Sequence, residues 1–161
     1  MAQCKTSPEV GGMGHSVKRK EDPRFIRGQG NYVDDVVRPG MVFMDIVRSP
    51  YAHAKIKSIN TEKALAHPGV AAVITGETLK EYNLHMMPTL MSDTQMVLPI
   101  EKVCYQAQEV AAVIATDRYS AADGVELVEV EYEPLPVVVD PHKATDPDAP
   151  IIRDDKEGQE N

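Results

Sequence analysis

The sequence from Val42 to Ile59, VFMDIVRSPYAHAKIKSI, predicts a strand that turns a corner and continues as a second strand. The first half is almost continuously apolar, as in a strand buried on most of both faces. The second half alternates apolar residues with lysines. This period of two is typical of a strand with one solvent-exposed face. Pro50 separates the halves because it has no N–H to donate to a ladder. Arg48, Tyr51 and His53 lie at the predicted corner.

The composition is that of one globular domain. The 161 residues are 42% hydrophobic and 26% charged, and a chain of this length removes roughly 70% of its unfolded surface from water. The net charge of −8 opposes binding to nucleic acid and to anionic lipid, because the electrostatic contribution would be repulsive. No apolar run approaches the roughly 18 residues of a membrane span. We therefore expect no nucleic acid partner and no membrane insertion.

Two cysteines, Cys4 and Cys104, form neither a disulfide framework nor a metal-binding knuckle. The N-terminus lacks the apolar core of a secretory signal. Both observations favour a cytoplasmic protein. The glycine-rich start and the polar end of the chain predict a mobile arm at residues 1–15 and a polar tail at residues 151–161. One domain, residues 16–150, is predicted between them.

Apolar runs predict two buried strands beyond the corner, Val70 to Thr75 and Val110 to Ala115. A helix of about two turns is predicted before the stop signal at Pro68. A short strand is predicted at Asn31 to Val33, after a bend that neighbouring glycines permit.

A second helix is predicted after Asp117, which can cap it. Its positions Tyr119, Ala122, Val125 and Leu127 or Val128 lie about one helical turn apart and form the predicted apolar face. Gly124 weakens this helix by about 1 kcal/mol relative to alanine. Close packing of the helix on a sheet is the physical reason for a glycine there.

From Val128 the sequence has a period of two, which predicts a strand with an acidic outer face of Glu129, Glu131 and Glu133. We interpret the three carboxylates as a solvated face rather than a cation site, because strand geometry forces their spacing. An extension along a sheet edge is predicted from Leu135 to Val139.

The segment from Leu84 to Pro99, LHMMPTLMSDTQMVLP, has neither a helix period nor a strand period and holds four of the eight methionines. Methionine suits irregular packing surfaces because its side chain is flexible and polarisable. The segment is predicted to be a loop docked on its own domain or on a partner. The alternative is a soft copper(I) site of His85 with the methionines, although the segment shows a cluster rather than a defined ligand set.

Local motifs for chemistry are scarce. The sequence holds no nucleophile elbow, no HExxH, no CxxC and no phosphate-binding loop. Its five histidines are scattered at spacings that suit no local metal site. His53 is the best single candidate for a catalytic residue. We nevertheless favour a structural role for it, in which backbone groups satisfy its hydrogen bonds. From its residues alone the chain is an α+β domain without an assigned reaction.

Several separated blocks, in the same order, resemble the N-terminal domain of the large subunit of molybdenum hydroxylases, the xanthine dehydrogenase and aldehyde oxidase family. These blocks are GHSVKRKEDPRFIRGQGNYVDD from Gly14, PGM from Pro39, VRSPYAHAKI from Val47, PGV from Pro68 and EVAAVIA from Glu109. Two further blocks look most like the aerobic carbon monoxide dehydrogenase branch. They are LHMMPTL from Leu84 and DRYSAADGVELVEVEYEPLPVVVDP from Asp117.

The resemblance implies an α/β hammerhead domain, with a mixed sheet and two or three short helices packed on it. It implies a parent oxidoreductase whose large subunit carries a molybdenum pterin cytosine dinucleotide with copper. That subunit would pass electrons to a 2Fe-2S iron–sulfur small subunit and then to an FAD medium subunit. In the family, the cofactor-binding segments, the copper-ligating cysteine and the catalytic glutamate lie beyond the hammerhead. No catalytic, cofactor-binding or metal-ligating residue is therefore carried over, and Cys104 is not equated with the copper ligand.

We expect a structural role in assembly, in which this domain packs against the remainder of the large subunit and the electron-transfer subunits, and an isolated chain without activity. The candidate contact residues are Arg48, Tyr51, His53, His85, Met86 and Met87. One alternative is a free-standing module that binds a small ligand or metal with residues 84–99. Another is the same domain from an aldehyde, xanthine or N-heterocycle hydroxylase.

Overall fold

The computed structural model describes residues 18–89 and 94–154. The chain consists of two compact units, Met1–Pro39 and Gly40–Asn161, each defined by the contacts within it. The predicted arm at residues 1–15 lies outside the described residues, as do residues 155–161 of the predicted tail. The domain boundaries therefore stay a prediction.

The first unit contains the helix α1, Asp22–Ile26, and a 3₁₀ helix, Val33–Asp35. The strand predicted at Asn31 to Val33 is wrong, because the Asp35 carboxylate accepts the Tyr32 N–H at 2.9 Å and closes a turn instead. The glycine-rich bend is confirmed, with a positive φ of 68° at Gly28.

The second unit contains eight strands and three helices among its described residues. In chain order they are β1 Phe43–Arg48, β2 Ala54–Asn60, α2 Glu62–Leu65, β3 Val70–Thr75, α3 Gly76–Glu81, β4 Met86–Pro88, β5 Thr94–Met96, β6 Lys102–Val103, β7 Glu109–Ala115, α4 Arg118–Leu127 and β8 Glu129–Pro134. A 3₁₀ helix, Pro141–Lys143, follows β8.

These strands form three small sheets. Their orders are β1-β7-β3, β6-β2-β8 and β4-β5, and every pairing is antiparallel. The predicted corner is confirmed, because β1 belongs to the first sheet and β2 to the second. The α+β class is also confirmed. The predicted mixed sheet is wrong in detail, because the described strands pair only in antiparallel fashion. Residues 49–53 carry the chain from one of these sheets into another.

The core lies around β7, the central strand of the first sheet. Val110, Ala111 and Val113 on this strand are fully buried. Buried side chains around Val113 form one cluster, and Val110 joins a second cluster with Ala54 and Val103 of the second sheet. The strand β7 therefore contributes to both apolar clusters.

The helix α4 covers the first sheet through its smallest residues. Ala121 and Gly124 are buried, whereas Tyr119 is 85% exposed. The predicted apolar face is therefore wrong at Tyr119 and at Ala122, which is also exposed, and confirmed at Val125, which packs against the core cluster. The predicted close approach at Gly124 is confirmed, because a Cβ there would lie 2.7 Å from Cγ1 of Val113 and 2.8 Å from Cγ2 of Val70.

The start of α4 is capped as predicted. Oδ1 of Asp117 accepts the N–H groups of Tyr119 and Ser120, each at 2.9 Å. These groups belong to the first turn of the helix, where backbone donors have no intrahelical partner. The hydrogen bonds from the backbone and then from the hydroxyl of Ser120 lower the pKa of the Asp117 carboxyl.

The strand β8 has the predicted acidic outer face, and lysines pair with it. Lys57 on the neighbouring β2 contacts Glu133, and Lys63 contacts Glu129. The hydrogen bond from Lys57 and its charge lower the pKa of Glu133. The predicted extension from Leu135 to Val139 is wrong, because β8 ends at Pro134. No helix within residues 18–89 and 94–154 has the length and apolar character needed to cross a membrane.

We expect Gly124→Ala to destabilise the chain by about 1–2 kcal/mol, because overpacking against Val113 and Val70 outweighs the better helix propensity of alanine. Urea unfolding followed by circular dichroism measures the change. The matched control is Ala122→Gly at an exposed position of the same helix, where alanine should be favoured by about 1 kcal/mol. An increase in stability for Gly124→Ala would contradict the close packing.

We expect Asp117→Asn to lower stability near pH 7, with the deficit shrinking as the pH falls. The folded-state pKa of Asp117 is lowered, so the ionised carboxylate stabilises the fold above its ordinary pKa of about 3.9 and loses that effect as the pH drops through the lowered value. Urea midpoints between pH 7 and pH 3 measure this convergence. Glu126→Gln, an exposed carboxylate in the same helix, is the charge control and should show a smaller deficit at pH 7. A deficit that stays constant with pH would contradict the role of the ionised cap.

Candidate interface at the corner and the methionine hairpin

Ser49 forms the corner between β1 and β2 and is 2% exposed. Its N–H donates to the carbonyl of Gln108 and its carbonyl accepts the N–H of Ala107, both at 2.9 Å. Its hydroxyl accepts the Tyr51 N–H at 3.0 Å and donates to the Tyr51 carbonyl at 2.9 Å. The corner is therefore tied to the loop before β7 and closed by its own side chain.

Arg48 reinforces the same connection from the surface. Its Nη1 donates to the carbonyl of Ala107 at 2.9 Å and to Oε1 of Glu109 at 2.6 Å. The Tyr105 hydroxyl donates to Oε2 of Glu109 at 3.3 Å. The Glu109 backbone N–H and then Arg48 lower the pKa of the Glu109 carboxyl, while burial and then the Glu109 charge raise the pKa of Tyr105. The Arg48 side chain is 51% exposed, so it also faces solvent.

His53 is buried behind the corner, with 5% of its surface exposed. Its Nδ1 lies 2.6 Å from the carbonyl of Pro136. Because a carbonyl can only accept, Nδ1 is the donor of this hydrogen bond. Nε2 is buried without a hydrogen-bond partner in the described chain. The His53 carbonyl also accepts the Leu135 N–H at 2.9 Å, so backbone contacts hold this residue in place.

Tyr51 is an exposed aromatic side chain of the corner. It is 40% exposed, and its ring centroid lies 5.4 Å from that of Tyr132 on β8, with the planes tilted by 58°. This separation is typical of favourable aromatic pairs. Tyr51 therefore places an aromatic surface at the outer side of the corner.

His85, Met86 and Met87 lie elsewhere, in a hairpin made of β4 and β5. The prediction of a loop without strands is wrong for Met86 and Met87, since Met86 pairs with Met96 and Met87 with Gln95. His85 lies just before β4. Residues 90–93 of the predicted loop lie outside the described residues. Nδ1 of His85 is buried without a hydrogen-bond partner in the described chain. No hydrogen bond, ion pair or ring contact of the described residues joins this group to Arg48, Tyr51 or His53.

A cavity of about 230 Å³ lies between the hairpin and the loop that supports the corner. The residues that line it are Gln95, Met96, Pro99, Glu101, Lys102, Cys104, Tyr105, Gln108, Arg153 and Asp154. Arg153 Nη2 donates to the Thr94 carbonyl at 3.1 Å, and Lys102 Nζ donates to Asp154 at 2.5 Å. Residues of the predicted tail therefore connect the hairpin to the second sheet.

Sequence reasoning missed the two residues that hold the corner from the opposite side, Ala107 and Gln108. Ala107 has a positive φ of 63°, and alanine gives no local signal for that conformation. The Ser49-Pro50 dipeptide did carry a signal, because serine hydroxyls bond to the backbone two residues on.

The described residues do not provide a set of His, Cys, Asp or Glu ligands for molybdenum or copper. Across residues 18–89 and 94–154, no three His, Cys, Asp or Glu side chains converge as metal ligands. The cavity of about 230 Å³ is smaller than the pockets of about 300–1,000 Å³ that hold drug-sized ligands. We assign none of these groups to the described residues.

The family model for the a/b hammerhead domain of aldehyde oxidase and xanthine dehydrogenase matches residues 27–136. The chain is 65% identical to the carbon monoxide dehydrogenase large chain of Afipia carboxidovorans, over 89% of this chain and 18% of that one. It is 58% identical to the large chain of the same name from Hydrogenophaga pseudoflava, over 93% of this chain and 19% of that one.

A crystal structure of the Cu,Mo-CO dehydrogenase in its carbon monoxide reduced state superimposes with a TM-score of 0.81 and 64% identity. The match covers 89% of this chain and 18% of the solved chain. The chain thus spans less than a fifth of the length of these relatives. The family match covers more than half of the chain, and it includes the corner, both three-stranded sheets and the hairpin. The chain therefore belongs to the a/b hammerhead domain family of aldehyde oxidase and xanthine dehydrogenase.

Proposed function

We propose that this chain is the hammerhead domain of the large, molybdenum-bearing subunit of a carbon monoxide dehydrogenase-like oxidoreductase, with a structural role in assembly. The single observation that carries the proposal is the 65% identity to a carbon monoxide dehydrogenase large chain over 89% of this chain. The domain is taken to comprise residues 16–150, between an N-terminal arm and a polar tail.

The described residues support a scaffold rather than a catalytic site. The buried polar side chains, Ser49 and His53, bond to backbone groups. Arg48 and Glu109 bond to each other and to the loop beside the corner. These contacts fix the direction of the chain where it passes between two sheets. Exposed side chains beside this rigid frame, Arg48 and Tyr51 at the corner and Met86 and Met87 on the hairpin, are the proposed contact residues, and His53 and His85 support them from within.

In this proposal the cofactors and catalytic residues lie on polypeptide outside the described residues. A molybdenum pterin cytosine dinucleotide with copper would supply the redox chemistry of the parent enzyme. The partners would be an iron–sulfur subunit with 2Fe-2S and an FAD subunit, in the cytoplasm. The contribution of this chain would be a rigid surface on which those parts assemble.

A chimera tests the proposal. In the Afipia carboxidovorans large chain, the segment matched by this chain is replaced with the 161-residue sequence. We expect the chimera to assemble with its partner subunits and to oxidise carbon monoxide within about tenfold of the parent rate, which is about 1.4 kcal/mol in the barrier. A large chain with a Gly-Ser linker in the same place is the control and should not assemble. A chimera that folds but binds no partner subunit would refute the assembly role.

A copper titration separates this proposal from the alternative of a free-standing metal-binding module. Because three metal-ligating His, Cys, Asp or Glu side chains do not converge in the described residues, we expect no stoichiometric uptake of copper(I) by the isolated chain in equilibrium dialysis. A variant with His85→Ala, Met86→Ala and Met87→Ala is the matched control and should behave identically. Uptake of one copper(I) per chain that this variant abolishes would favour the alternative.

A further inference from the structure

The hairpin of β4 and β5 exposes apolar side chains on both of its faces. Successive residues of a strand point to opposite faces, and the neighbours Met86 and Met87 are 44% and 43% exposed. Leu84, just before β4, is 63% exposed, and Val97, just after β5, is 39% exposed. Exposed apolar side chains that group into one patch mark an interaction site, whereas apolar side chains exposed singly are normal.

The hairpin has no covering layer of its own within the described chain. Its strands contact each other, and neither makes an extensive contact with another described helix or strand. A two-stranded hairpin is marginally stable in water unless it packs on a further element. Among the described helices and strands, none forms a layer that buries a face of this sheet.

One edge of the hairpin is open in the described structure. The Val97 N–H donates to the His85 carbonyl at 2.9 Å. From that pair, hydrogen-bonded and non-hydrogen-bonded residue pairs alternate along the hairpin, so Met86 and Met96 form a non-hydrogen-bonded pair. The N–H and C=O of Met86 therefore point away from β5. On the other strand the Thr94 carbonyl already accepts a hydrogen bond from Arg153. The open edge belongs to β4.

The chemistry of the hairpin selects an apolar partner. Asp93 is the only charged residue between Asn83 and Ile100, in a chain that is 26% charged. The buried centres of protein interfaces are likewise depleted of charge and enriched in methionine and aromatic residues. Methionine also adapts its shape to the partner surface.

The position of the hairpin favours a partner on the same polypeptide. Arg153 bonds to Thr94, and Asp154 bonds to Lys102 beside the same cavity. The last described residues therefore lie next to the hairpin. In the relatives the matched segment is only 18% of the large chain. A surface on the same chain has a higher effective concentration at this point than a separate subunit.

We propose that the β4–β5 hairpin is the docking surface for the remainder of the same large subunit, which covers Met86 and Met87 and the open edge of β4. This inference rests on the proposed function, and it adds which polypeptide covers the hairpin. The occupant is apolar polypeptide of the large chain itself and not the iron–sulfur or flavin subunit.

Methionine oxidation by hydrogen peroxide tests the docking on the chimeric large chain described above. Sulfoxide formation follows the exposure of the thioether and is read by mass spectrometry on the peptides that contain Met86 and Met87. In the folded large chain without its partner subunits, we expect both residues to oxidise at least about tenfold more slowly than in the urea-unfolded chain. Rates within about threefold of the unfolded chain would overturn the inference.

Addition of the partner subunits identifies the occupant. We expect no further protection when the iron–sulfur and flavin subunits are added. Protection that appears only on their addition would assign the surface to another subunit and overturn the inference. A chimera that fails to assemble at all would instead refute the proposed function, so the two failures are distinguishable.

A pair of variants gives a second readout on the assembled enzyme. Met86→Ser with Met87→Ser removes the apolar surface, whereas Met86→Leu with Met87→Leu keeps it. We expect the serine pair to raise the rate of proteolytic cleavage of the large chain by about tenfold and the leucine pair to leave it within about twofold. Equal rates for the two pairs would contradict docking through these side chains.

Discussion

The peptide of Ser49 is hydrogen-bonded on both sides to the loop that leads into β7. Its N–H donates to Gln108 and its carbonyl accepts from Ala107. The strand before it pairs with β7, and the strand after the corner pairs with β6 and β8. Because Ser49 is buried, losing either bond would leave a polar backbone group without a partner and without water. The arrangement of the two three-stranded sheets depends on this connection.

The central strand β7 explains why the corner can be rigid. Its residues pack in both apolar clusters, and Ala111 and Val113 contribute to the cluster under α4. Small side chains at Ala121 and Gly124 allow that helix to lie close to the sheet. The dense packing on one side and the hydrogen bonds on the other leave little freedom at the corner. Such a frame suits a domain that has to present fixed surfaces to other polypeptide.

The surfaces of the domain divide by chemistry. On β8 the acidic outer face is paired with lysines of β2 and α2 and faces solvent. The hairpin has the opposite character, since its strands carry no charge and Met86 and Met87 are exposed. A solvated face needs no partner, whereas an uncovered apolar hairpin does. This contrast is the physical basis for placing the proposed contact at the hairpin.

The local features of this protein follow from short stretches of its sequence. The corner at Ser49-Pro50, the strands at residues 70–75 and 110–115, the Asp117 cap and the close packing at Gly124 were all predictable, because proline, caps, apolar runs and glycine act over a few residues. Burial was predicted correctly for the strand at 110–115 only, since residues 70–75 are partly exposed. The resemblance of several sequence blocks, in the same order, to the molybdenum hydroxylases predicted the hammerhead fold. The family match confirms this prediction.

The grouping of the strands into sheets and the order of the methionine segment depend instead on contacts between residues that are far apart in the chain. The hairpin strands are three residues each, too short for a period of two to be read, and their pairing depends on contacts that a local pattern does not contain. The same reason applies to Ala107, whose positive φ is imposed by its bonds to Ser49 and Arg48 across the fold. Tertiary hydrogen bonds can hold a residue in a conformation that its own side chain disfavours.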